Sequence, residues 1–419
     1  MTRGTVAPAA ALRISLERAR AHWLRTQGLA EPLALDLEAL VAATGWVRTL
    51  GGADVYLALA ARAPRMARAD LDRAVEASRL QVIPAVRGCI YLVPREEVPL
   101  TLRVAEAQYR KRAEREHAQS GIEPKELVDV GEAVLVALRK GALSTDALRK
   151  ALPAGVVRSL GAAGKKAGIS STLPPALRHL EFEGKVERSL EGGRLDTERY
   201  LWRLPARNPF TGAKVPAEVE ERNARLAALF FRQFGPATVE DFADWAAFSQ
   251  REAKAAVARA ALVPVEVEGL GALAYVPEAV VTTLREKVPQ ATSVSFLPSQ
   301  DLYFAARGGP GRVTDPRHHA LQVPRWGSAR DGALGEVAHM SLRGVLDGDR
   351  LAGFWELAPA AGEVVFHTFE ALSPRRRKQF EARAGEVATF LVNEVGHARA
   401  FTLDTDASVA ERAALIRSL

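Results

Sequence analysis

The stretch "EGKVERSLEGGRLDTERYLWRL", Glu183 to Leu204, decides how the chain is read. Val186, Ser189 and Leu190 alternate loosely with charge, Gly192-Gly193 supply a turn, and Tyr200, Leu201 and Trp202 carry the chain back. The segment therefore predicts a two-stranded β-ribbon. What precedes it is helical. "DVGEAVLVALRKG" (Asp129 to Gly141), "LSTDALRKALP" (Leu143 to Pro153, capped by Ser144 or Thr145) and "STLPPALRHLEFEG" (Ser171 to Gly184) read as three helices. The last carries a proline pair in its first turn, where missing N–H groups cost little. Three helices followed by a ribbon is the order of a winged helix, and the ribbon is then its wing.

The order recurs on both sides. Before it, "SLERARAHWLRTQGL" and "LDLEALVAATGWV" predict helices, the first capped by Ser15 in a partial capping box. Further helices are expected over Asp54 to Arg62 and from Ala69 to Val75, then a hairpin in "LQVIPAVRGCIYLVP" (Leu80 to Pro94). After it, a linker (Pro205 to Pro216) leads to helices in "EVEERNARLAALFFRQFG", "TVEDFADWAAF" (cap Thr238) and "SQREAKAAVARA" (cap Ser249), and to a second clear wing in "LVPVEVEGLGALAYVP". The copies share element order, not residues. From Ser293 the texture changes to short strands with tight turns and one late helix.

The expected fold class is mainly α with β: three tandem winged-helix modules plus a C-terminal β-rich, barrel-like domain. The expected bounds are a disordered tail over 1–13, modules over 14–118, 119–205 and 206–290 (the last with its linker), and the β-rich domain with its closing helix over 291–419.

The 419 residues are 48% hydrophobic and 26% charged, an ordinary globular composition with ample core. No stretch has the apolar length of a membrane span, the first residues lack a signal-peptide core, and Cys89 is the single cysteine. A reducing cytoplasm is the expected location, with no membrane partner and a monomeric state. Net charge is +7 and pI about 9.6, which favours a polyanionic partner. That charge is uneven. Residues 137–170 hold seven basic side chains against Asp146, a net of +6, and residues 305–330 hold five against Asp315, a net of +4. Clustering of this kind points to double-stranded DNA. The expected contacts are Arg139, Lys140, Lys165 and Lys166; Arg178 on one recognition helix (Ser171 to Gly184); Arg251 and Lys254 on another (Ser249 to Ala260); Arg194 at the ribbon turn; and Arg307 and Arg312.

Other chemistries fit poorly. "SLGAAGKKAGIS" has Ser159 where a phosphate-binding loop needs glycine and Lys166 where it needs Ser or Thr, so no nucleotide cofactor is expected. His318-His319 are adjacent and diverge, His339 and His367 are isolated, and no ligand cluster suggests a metal or other cofactor. Aromatics, at 6%, are too few for a single-strand stacking platform. Phe230, Phe231, Phe234 and Trp245 read as core.

Six segments taken in order carry a resemblance: "ARAHWLRTQGL", "RGCIYLVP", "LEFEGKVERSLEGGRLDTERYLWRL", "FRQFGPATVEDFADWAAF", "SVSFLPSQDLYFAAR" and "VLDGDRLAGFW". From about Ile14 to Ala398 the chain resembles the winged-helix DNA glycosylases of the AlkZ-like (YcaQ-like, crosslink-repair) family. The resemblance implies tandem winged helices curved around duplex DNA and metal-free excision of bulky N-alkylated purines, including crosslinked guanines. It also implies a Gln-apolar-Gln or Gln-apolar-Asp pair that positions water. Counting back from "ALAARAP", that pair falls on Arg48 and Leu50. Neither accepts a hydrogen bond from water, and a cation at Arg48 has the wrong sign for an oxocarbenium-like transition state. Asp54 is the nearest carboxylate that could substitute, and it reads equally as the N-cap of "VYLALAARA". Tyr91 stands where the family often has His. The expected functions are a DNA glycosylase acting through Asp54, a catalytically inactive DNA-binding protein (transcription regulator or lesion sensor), and, third, a protein-interaction scaffold.

Overall fold

The computed structural model describes residues 11–286 and 291–419. Residues 1–10 of the expected tail, and the boundary expected at residue 290, lie outside the described residues. Leu12 and Arg13, also expected in that tail, instead form a strand, β1 (Leu12–Ile14), which pairs in parallel with a strand some 250 residues later through Leu12↔Val265. Alternating Leu12 and Ile14 give β1 an apolar side, and Ile14 is buried.

The first helical run is α1 (Leu16–Thr26), α2 (Leu37–Thr44), the short strand β2 (Val47–Arg48), α3 (Asp54–Ala60) and α4 (Arg68–Glu76). Ser15 caps α1, accepting the Arg18 N–H at 3.2 Å, and Asp36 caps α2 at 2.8 Å. The hairpin β3 (Leu80–Pro84) and β4 (Ile90–Pro94) follows, and β2 adds to β4 to give the order β2-β4-β3.

A 23-residue helix that the sequence pattern does not announce, α5 (Val98–Ser120), comes next. Its apolar stripe (Val98, Leu102, Val104, Ala105) is confined to the first half, and the second half is mostly charged. Then come α6 (Pro124–Leu138), α7 (Thr145–Ala151), α8 (Gly161–Ala167) and α9 (Leu173–Phe182). Ser144 is the cap of α7. The basic glycine-rich run is largely the helix α8. The ribbon expected within Glu183 to Leu204 is β5 (Glu187–Leu190) and β6 (Tyr200–Arg203), joined by two single turns rather than one tight turn. Residues 122–202 enclose their own core, from Ile122 and Val130 through Leu177 to Trp202.

The third run is α10 (Val219–Phe234), β7 (Ala237–Thr238), α11 (Val239–Ala246), α12 (Gln250–Arg259), β8 (Leu262–Val267), β9 (Leu273–Pro277) and α13 (Val280–Arg285). Thr238 and Ser249 complete capping boxes with Asp241 and Glu252. Phe230, Phe231, Phe234 and Trp245 are buried together, as expected.

The remaining elements are β10 (Val294–Leu297), α14 (Leu302–Ala305), the hairpin β11 (Gln322–Pro324) and β12 (Asp331–Ala333), β13 (Arg343–Asp347), β14 (Arg350–Ala358), β15 (Glu363–Thr368), α15 (Pro374–Thr389) and α16 (Asp406–Ser418). A π-helical turn over Phe390–Val395 extends α15. The sheet runs β10-β13-β14-β15, antiparallel and open, so the barrel-like expectation is corrected. Four strands are too few to close, and α15 and α16 pack onto the sheet instead. One core joins Leu57 and Leu71 of the first run to Trp355 and Phe380 of the C-terminal sheet and helix. A cavity lies among these elements.

Candidate active site and nucleic-acid interface

Between β2 and α3 the backbone turns through Gly51 and Gly52, both near φ +71°. A Cβ on Gly51 would lie 2.2 Å from Thr402 Oγ1, and one on Gly52 would lie 2.5 Å from the Arg399–Phe401 backbone. Glycine alone lets the 399–402 segment run against this turn. The two are stitched by Ala53 N–H to Arg399 O (2.6 Å) and by Thr402 N–H and Oγ–H to Leu50 O (both 2.9 Å).

This turn forms one wall of a cavity lined also by Arg48, Leu50, Asp54, Arg62, Pro298–Leu302, Trp326 and Ala400. The cavity volume is about 40 Å³. That is room for a few waters. Trp326, at the tip of the β11–β12 hairpin, contacts the Phe401 ring at 5.1 Å. Below, Arg62 is buried and donates to Asp301 at 2.7 and 2.8 Å and to Gln27 Oε1 at 3.0 Å, fixing α3 to the opposite wall.

Asp54 is not the helix cap. Ala53 holds that place and makes no side-chain bond, and Asp54 is the first helical residue. Its Oδ1 accepts Arg343 Nε (3.0 Å) and Nη2 (2.6 Å), whereas Oδ2 has only the Ser299 hydroxyl among the described residues, at 3.5 Å. Arg343 also donates to Glu356 and to Ala398 O, and lies over the Trp355 ring. Glu356 accepts Arg412 Nε (2.8 Å), and Arg412 binds Asp404 (2.7 and 3.0 Å). The chain Asp54–Arg343–Glu356–Arg412–Asp404 thus holds three carboxylates and two guanidiniums. Burial raises the Asp54 pKa, and Arg343 only partly opposes it.

Arg48 and Leu50 both line this cavity. Arg48 pairs in register with Tyr91, and its Nη2 lies 3.4 Å from Cys89 Sγ. Tyr91 is buried, which pushes its hydroxyl up to about 12.

The ten expected DNA contacts divide. Arg139, Lys140, Lys165, Lys166, Arg251 and Lys254 are exposed. Four are engaged within the fold, and for Arg307 this corrects the expectation. Arg307 is fully buried against Trp23 (4.8 Å), Phe234 and Tyr303, and cannot reach a phosphate. Arg312 is bound to Asp241. Arg178 lies against the buried Glu181 at 2.8 Å. Arg194 folds inward onto Asp196 and Val395 O, because the ribbon tip is docked: Leu195 N–H donates to Tyr56 Oη (3.0 Å) and Gly52 N–H to Asp196 O (2.7 Å). Sequence reasoning missed Arg343, Ser299 and Trp326, since nothing local marks residues that meet only in the fold.

No helix among the described residues is long and apolar enough to cross a membrane, and none of them form a group of three or more His, Cys, Asp or Glu suited to a metal ion. The family model "DNA glycosylase AlkZ-like" matches residues 36–390, and the chain belongs to that family. Among solved structures, the Streptomyces sahachiroi DNA glycosylase AlkZ superposes with a TM-score of 0.68 at 20% identity, covering 93% of this chain and 98% of that one, a likeness of fold. No curated protein matches the sequence.

Proposed function

We propose that the chain binds duplex DNA through winged-helix modules and hydrolyses the N-glycosidic bond of a bulky N-alkylated purine, with Asp54 as the water-positioning group. One observation carries this: Arg343 holds Asp54 through Oδ1, while Oδ2 takes only the Ser299 hydroxyl, at 3.5 Å, among the described residues, which leaves it room to accept a water in the cavity it lines. An N7-alkylated guanine already carries positive charge and leaves as a neutral base. A fixed carboxylate then need only orient water, accept its proton and offset the charge growing on the sugar. The exposed cations on α8, α12 and the α6–α7 connection supply the backbone grip. The helix–hairpin order of each run supports the winged-helix reading.

The test is incubation with duplex carrying N7-alkylguanine, scoring abasic sites. Release that falls at least about 100-fold in Asp54→Asn is the expected result. The active form is the carboxylate, so release rises with pH through the raised Asp54 pKa. A second reading, a DNA-binding protein without catalysis, is favoured by Arg48 and Leu50 at the positions of the family's amide pair. Tight binding with no release establishes it.

A further inference from the structure

Two arginines beside the cavity stand apart from the others. Arg62, Arg343 and Arg412 are each claimed by a carboxylate. Arg48 and Arg87 have none within ion-pair distance among the described residues. Arg48 lies at the cavity wall with its Nε buried and without a partner among them. Arg87 is exposed at the tip of the β3–β4 hairpin, with one bond, from Nη1 to the backbone carbonyl of Asp244 at 3.0 Å. Its φ is +62°, a left-handed conformation that glycine adopts freely and arginine does not.

The two lie in one neighbourhood. Arg48 reaches Cys89 Sγ, which is 3.8 Å from Arg87 O, and the charges of both arginines act on Tyr91 and on His339. His339 comes from a third element, the segment before β13. Its Nδ1 is buried without a partner among the described residues, and burial with the two arginines lowers its pKa. The acid that acts on His339 is Asp244, which offers Arg87 a backbone carbonyl rather than its carboxylate. Like charges without a counter-ion repel, and an anion between them relieves the repulsion.

We propose that Arg48 and Arg87, with His339 beside them, form a phosphate subsite at the edge of the Asp54 cavity. It grips one backbone phosphodiester of the strand whose nucleotide is offered to Asp54. Two guanidinium forks match the paired oxygens of a phosphodiester. The cation at Arg48, of the wrong sign for an oxocarbenium ion, has the right sign for the phosphate next to it. The inference rests on the proposed DNA binding and deepens it by assigning a register: the subsite sets which nucleotide faces the cavity.

The experiment measures affinity of the full chain for a labelled duplex by anisotropy over a salt series, for wild type, Arg48→Gln, Arg87→Gly and, as a surface control, Arg417→Gln. Arg87→Gly removes the guanidinium and relieves the left-handed strain, so its thermal midpoint holds or rises while its affinity falls. The expected result is about a tenfold loss and a salt slope reduced by about one for each of the first two variants, with the control unchanged. Wild-type affinity retained in Arg48→Gln and Arg87→Gly overturns the subsite and leaves the functional reading intact. A wild type that does not bind duplex overturns both.

Discussion

Residues 137–170 and 305–330 are both strongly basic, yet the fold treats them in opposite ways. In the first, Arg139, Lys140, Lys150, Lys165 and Lys166 stand exposed without an ion pair among the described residues, whereas Arg149 and Arg158 find carboxylates. In the second, Arg307 is sealed under three aromatic rings, Arg312 is held by Asp241, and Arg317 by Asp315 and Glu370. Arg325 and Arg330, in the β11–β12 hairpin, have no acidic partner among the described residues. A charge count along the chain therefore measures potential binding only where no distant acid or ring claims the side chain. The first segment folds within its own core, so its surface is set locally. The second is threaded between β10 and β13, where partners arrive from elsewhere.

The contrast is broken or sharpened most by Arg343, the most heavily shared of the buried cations. Arg343→Met leaves Asp54 and Glu356 without their common cation, and chemical denaturation is expected to show a loss of about 3–5 kcal/mol. A loss under about 1 kcal/mol would mean that these carboxylates are already neutral in the fold. Arg307→Ala comes next, at about 2–4 kcal/mol from the cavity it opens, with duplex affinity at low temperature unchanged. A fall in affinity without a fall in stability would return Arg307 to the binding surface.

The acid limb is a smaller effect. Burial pushes Asp196 up, but bonds from His397 and Arg194 outweigh it and bring its pKa down to about 2, against 3.8 when free. That stability is complete above about pH 4 and is lost as pH falls through the folded value. His397→Ala should move the acid-unfolding midpoint upward, and an unmoved midpoint would show the pair to be inert. The smallest stability effect belongs to the exposed segment. Changing Arg139, Lys140, Lys165 and Lys166 together to Gln should leave stability within about 0.5 kcal/mol per site. The log–log salt slope for duplex should fall by about 0.9 for each phosphate that these cations neutralise, and an unchanged slope would show that the four do not touch DNA.

Elements with local instructions were legible. Ser15, Ser144, Thr238 and Ser249 announce their helices, and the alternation in Leu80 to Pro94 announces its hairpin. The long helix α5 was not, because its apolar stripe fades into charge and its start carries no side-chain cap. Asp54 was misplaced as a cap, since the chain has already turned helical at Ala53. Its partner Arg343 lies 289 residues away, and no spacing rule joins them. Arg307 reads as surface charge until Trp23, Phe234 and Tyr303, from three separate helices, close over it.

The parallel pairing of β1 with β8 has a consequence for synthesis. Leu12 to Ile14 are synthesised some 250 residues ahead of their neighbours Val265 to Val267. Until these follow, the first strand has an open edge and no sheet to join. The four-stranded sheet of β1, β8, β9 and β7 thus cannot include its first strand until β8 has been made, and the segment around α1 waits for it.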